Sequence, residues 1–132
     1  MALLTDKKTS KKLETRLSEF TEYGMALYYL LEEGRTSIRD LENIFFSKDD
    51  EKSSFVYGKI MKHIKPNDLT KSFERYSLFY PKDDKDDKTY KKDLNIKYTK
   101  KVIDIVISKS EDYIDKTYIN TYDYLLTNIS KK

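Results

Sequence analysis

Lys52, Ser54, Gly58, Lys59, Lys62 and Lys65 fall within one short stretch of the chain. Ammonium groups gathered on one helix face neutralise phosphates, release counterions and make binding salt-dependent. A serine and a glycine among them let a nucleic-acid backbone come close. For this chemistry the stretch must be a helix with its other face held in a core. Val56, Ile60 and Ile64 supply that second face at four-residue steps, with Phe55, Tyr57 and Met61 at its margins.

The elements before it complete a layout. Leu13, Leu17, Phe20, Gly24, Leu27 and Leu31 recur at steps of three and four, which predicts an amphipathic helix capped by Thr9 or Ser10 and ended by Gly34. Gly24 inside that stripe points to close approach by another element. Thr36-Ser37 opens a second helix with Ile38, Leu41, Ile44 and Phe45 on its buried face. Ser53 or Ser54 caps the third, and Pro66 ends it. This order over residues 25–65 is that of a helix-turn-helix, whose last helix enters the major groove of double-stranded DNA. Three features depart from it. The polar break at 47–53 is longer than the usual turn, Asp49, Asp50 and Glu51 would repel phosphate, and the face lacks Arg, Asn or Gln for bidentate base recognition.

Other chemistries find less support. Asp83, Asp84, Asp86 and Asp87 lie close together, but lysines interrupt them and the Gly and Glu of a calcium loop are missing. The chain has no Cys and a single His, His63, so thiolate sites and paired-His zinc sites are excluded. Its three glycines are isolated, which rules out a phosphate-cradling loop. A non-catalytic protein without metal or cofactor is expected.

Two further elements carry expectations. Residues 75–80 and 94–98 have strand-like composition around a loop, Lys82 to Asp93, of five Lys and five Asp. Leu69, Phe73, Tyr76 and Tyr80 keep helical spacing as well, so two readings stand open between 75 and 98, helix or a short β-hairpin, a wing. From Lys100 one apolar stripe runs unbroken to Ile129, which predicts a single helix about 45 Å long. A globule of this chain length is roughly 36 Å across. The rod would therefore need a second chain, with Ile114, Tyr118, Tyr122, Leu125 and Ile129 as the partner interface of a homodimer.

The 132 residues fit one domain, with 37% charged and 38% apolar side chains. The net charge of +3 is spread evenly, 12 basic against 11 acidic groups in residues 1–65 and 14 against 12 in 66–132. No apolar run is long enough to span a bilayer, and Met1-Ala2-Leu3-Leu4 turns charged at once, so no membrane and a cytoplasmic location are expected. The expected architecture is mainly α: four to five helices over residues 10–130, with a helix-turn-helix-like core at 10–65, a connector or wing at 66–99 and a dimerisation or partner helix at 100–130. The leading expectation is a small dimeric DNA-binding regulator or accessory factor. Four lysines per chain would make its log affinity fall with log salt at a slope near −7. The alternative is a protein-binding inhibitor or adaptor, of the kind small mobile elements encode, acting through the Tyr-rich helix.

Overall fold

The computed structural model describes residues 17–46, 50–109 and 122–128. These residues are mostly helical, as the periodicity predicts, and no strand occurs among them. They form more helical segments than the four or five expected. A helical turn at residues 17–20 precedes α1 (Gly24–Glu32), α2 (Ile38–Phe46), α3 (Asp50–His63) and α4 (Pro66–Tyr76). A 3-10 turn (Ser77–Phe79), α5 (Asp87–Lys109) and α6, the helical residues 122–128, follow. No helix among the described residues is long and apolar enough to cross a membrane.

The first predicted helix is interrupted at Thr21-Glu22-Tyr23 and restarts at Gly24. The cause is the close approach that Gly24 permits. A Cβ there would lie 2.0 Å from the Asn95 carbonyl oxygen and 2.4 Å from Thr99 Oγ1, both on α5. Asn95 also accepts the Met25 backbone N–H on its Oδ1 at 3.0 Å, taking up a donor that the start of a helix leaves open. The buried Thr99 hydroxyl donates to the Asn95 carbonyl at 2.8 Å. At the other end of α1, Gly34 (φ +71°) turns the chain. The Arg35 N–H reaches the Leu30 carbonyl (2.9 Å) and the Gly34 N–H the Leu31 carbonyl (3.2 Å), the double closure of a Schellman motif.

α1 packs chiefly on α5 and then on α4, and α2 packs on α3. The larger apolar cluster joins Phe20, Leu27, Leu41, Phe45, Val102 and Val106 with residues of α3 and α6. A second cluster is mostly tyrosine: Tyr29, Tyr76, Tyr90 and Tyr98 with Met25 and Leu94. Tyr76 and Tyr98 stack at 4.5 Å, and the Tyr76 hydroxyl donates to Glu32. Burial is the first cause that lifts both phenols above the ordinary tyrosine range.

The wing does not form. Asp86 Oδ1 accepts the Thr89 N–H at 2.7 Å and caps α5, so the second half of the Lys/Asp-rich stretch is already helix. Residues 94–98, read as a strand, lie inside α5. Tyr90, Leu94 and Tyr98 are one turn apart, and all three are buried in the tyrosine cluster. Helical burial at this spacing outweighs the alternation of 94–98.

The unbroken rod over 100–129 does not form either. Lys100 and Asp123 would sit about 35 Å apart along a continuous helix. Their side chains instead form an ion pair of 3.0 Å. α6 therefore lies beside α5, against Ile96 and Lys97.

Candidate nucleic-acid interface

The rotation of α3 about its axis is fixed by its buried side. Val56 and Ile60 are buried in the larger cluster, and Ser53, also buried, donates its hydroxyl to the Ile44 carbonyl at 3.1 Å. At 100° per residue Lys52, Phe55, Lys59 and Lys62, at steps of three, four and three, share an arc of about 80° that runs from the flank of the buried side, beside Val56, to the far side at Lys62. All four are exposed. The stripe is about 15 Å long. Phe55 is 74% exposed at its centre.

The other predicted residues are placed as follows. Gly58 lies one turn beyond Phe55, and a Cβ there would meet nothing within 4 Å. Ser54 is exposed on the flank of α3. Lys59 keeps a side chain 54% exposed, with its Nζ 4.0 Å from Asp40 Oδ2. Lys65 leaves the stripe. It precedes α4, and its Nζ donates to the Lys62 carbonyl at 3.2 Å, satisfying an open carbonyl at the end of α3. Glu51 is exposed near the N-terminal end of the same face.

Beside the stripe lies a cleft of about 260 Å³, lined by Arg35, Thr36, Ser37, Asp40, Lys59 and His63 among others. The Ser37 hydroxyl accepts the Asp40 N–H at 3.1 Å and caps α2, as the sequence predicts. Arg35 grips buried Asp68 with two hydrogen bonds, 2.7 and 3.1 Å, and a third reaches the His63 carbonyl at 3.3 Å. Asp68 in turn accepts the Lys65 N–H at 2.9 Å. The Arg35 hydrogen bond above all, opposed by burial and aided by the Lys65 N–H, holds the Asp68 carboxyl below the usual carboxylate range. This ion pair ties the turn after α1 to the start of α4 and fixes the end of α3 between them.

The predicted partner interface needs correction. Tyr122 and Leu125 are buried within their own chain. The Tyr122 hydroxyl donates to the Phe45 carbonyl, and its ring meets Phe45 and Phe46 edge-on at 5.6 and 5.3 Å. With α6 folded back on the core, these two side chains have no surface to offer a second chain. Ile114, Tyr118 and Ile129 lie outside the described residues.

Two exposed apolar features went unread in the sequence. Phe55 falls at the margin of the apolar pattern, but its angular position between Lys59 and Lys62 marks it as outward. Leu78 and Phe79, 83% and 68% exposed, project from the 3-10 turn. That turn is held by Tyr90, whose hydroxyl lies 2.5 Å from the Tyr80 carbonyl and 3.1 Å from that of Ser77.

No protein family, curated protein or solved structure matches this chain.

Proposed function

We propose that this protein is a non-catalytic nucleic-acid-binding protein, a regulator or accessory factor that holds a sugar–phosphate backbone along the exposed face of α3. The observation that supports this is the shared exposed arc of Lys52, Lys59 and Lys62, whose place around the helix is set by the burial of Val56, Ile60 and Ser53. Three exposed lysines over about 15 Å reach successive phosphates by side-chain movement alone, Lys59 exchanging its 4.0 Å approach to Asp40 for a phosphate. Lys65, engaged at the end of α3, is left out of this set. With α6 folded back, the ground for a rod-built dimer is gone, and the expected salt slope drops with the number of lysines. Three phosphate contacts give roughly −2 on single strands and about −2.7 on duplex DNA. Fluorescence anisotropy with labelled DNA between 30 and 200 mM salt reads that slope directly, where about 3 contacts are at stake. Absence of binding at the lowest salt contradicts the proposal.

A second reading has its own support. Leu78 and Phe79 form a pre-arranged apolar projection, and two lysines that follow it in sequence are paired, Lys82 with Asp87 at 2.7 Å and Lys85 with Asp93 at 3.1 Å. Such a surface suits a protein partner with an apolar pocket, as an adaptor or inhibitor would use. Binding of that kind depends little on salt, which separates it from the leading proposal.

A further inference from the structure

We infer that the nucleic acid taken by this face is single-stranded, with a base stacked on the Phe55 ring. This rests on the proposed function and narrows its ligand. Bases in a duplex are stacked on one another and offer only their edges in the grooves. Of the side chains that read an edge with two hydrogen bonds, Arg, Asn and Gln are absent from the face centred on Phe55; Lys remains, and it reads guanine alone, as a point charge without a planar fork. A groove-reading helix also leads with its N-terminal residues. Here that end begins at Asp50 and bears exposed Glu51, whose charge opposes the phosphate walls of the groove. The lysines are best placed for a strand that crosses the middle of the helix.

At that middle stands a ring 74% exposed, with lysines one turn before it (Lys52), one turn after it (Lys59) and two turns after it (Lys62). An aromatic ring among cations is the arrangement by which single strands are held: bases stack on the ring, and the ammonium groups track the backbone. Gly58 keeps the flank of the ring clear. It lies three residues on, within about 60° of Phe55 around the helix. Apart from its two neighbours and the adjoining helix backbone, no atom stands within 4 Å of where its Cβ would be. A planar base can slide over the ring from that side. Unstacked bases have the exposed faces this geometry requires, and charge complementarity with the three lysines selects a polyanion as the strand that carries them.

The test compares a labelled oligothymidine, a duplex of matched length and poly-L-glutamate, by anisotropy at low salt, on the wild-type chain, Phe55→Ala, Phe55→Tyr and Lys59→Glu/Lys62→Glu. The expected result is tighter binding of the single strand than of the duplex. Phe55→Ala should weaken the single strand by roughly 5- to 150-fold, the range for loss of one stacked base, and leave the duplex nearly unchanged. Phe55→Tyr should retain binding. Because the ring is exposed, the Ala variant keeps the wild-type helicity by circular dichroism. A duplex bound as tightly as the single strand, or a single strand indifferent to Phe55→Ala, overturns the inference and leaves the nucleic-acid reading standing. Poly-L-glutamate that competes as well as the single strand overturns it too, since the face would then be a general polyanion or acidic-protein site. Binding of no nucleic acid, or binding untouched by Lys59→Glu/Lys62→Glu, overturns the reading beneath it.

Discussion

Asn95 caps α1 from across the core: its side-chain oxygen accepts the Met25 backbone N–H at 3.0 Å, seventy residues away in sequence. The bond can form because Gly24 lets α1 lie against the backbone of α5. Replacing Asn95 by Ala should cost about 1 kcal/mol, the usual penalty for losing a cap. Gly24→Ala should cost about 3 kcal/mol or more, because its Cβ would collide with backbone that cannot move aside. Urea unfolding measures both. A Gly24→Ala variant as stable as wild type contradicts the packing.

Gly58 predicts the opposite sign. It lies within α3 with open space where a Cβ would be. Gly58→Ala should therefore stabilise the chain by about 0.5–1 kcal/mol, the gap in helix propensity. A rise in thermal midpoint, set beside the fall for Gly24→Ala, checks that the two glycines do different work.

The Arg35–Asp68 pair makes stability pH-dependent in acid. Asp68 is held below its ordinary value in the folded state, so its contribution is full above the unfolded carboxyl value of about 4 and fades as pH falls through the lowered folded value. Asp68→Asn should cost about 2 kcal/mol at neutral pH, where the charged hydrogen bonds are lost. The difference between variant and wild type should shrink in strong acid. Urea midpoints between pH 7 and pH 2 show the convergence; parallel profiles would argue against the pair.

Tyr122 is expected to behave as a core residue. Tyr122→Phe removes the donor to the Phe45 carbonyl and should cost about 1–3 kcal/mol. Leu125→Ala should cost about 2–5 kcal/mol by opening a cavity. Equilibrium unfolding at two protein concentrations tells core from interface, since losses at a subunit interface would vary with concentration and these should not.

How far the sequence could be read follows from what periodicity encodes. It marks which face of a helix is apolar, so the buried sides of α1, α2 and α3, the Gly34 stop and the Ser37 cap were all legible. The close approach at Gly24 was too, as a small residue in an apolar stripe. Periodicity does not say what covers a face. Tyr122 and Leu125 continue the stripe of α5 in register, yet α6 returns beside Lys100 and their cover comes from Phe45 and its neighbours. The wing failed for a local reason: the Asp86–Thr89 cap is hidden among similar Lys and Asp residues, and it moves 87–98 from loop and strand into helix. Phe55 was missed because an aromatic residue beside an apolar stripe reads as core until its angle around the helix is taken.

The most direct test of the nucleic-acid face is the slope of log affinity against log salt for wild type and Lys59→Ala/Lys62→Ala, on a labelled single strand. Loss of two of three phosphate contacts should flatten the slope from roughly −2 to about −0.7. An unchanged slope, or no binding by the wild-type chain at the lowest salt, would contradict the account.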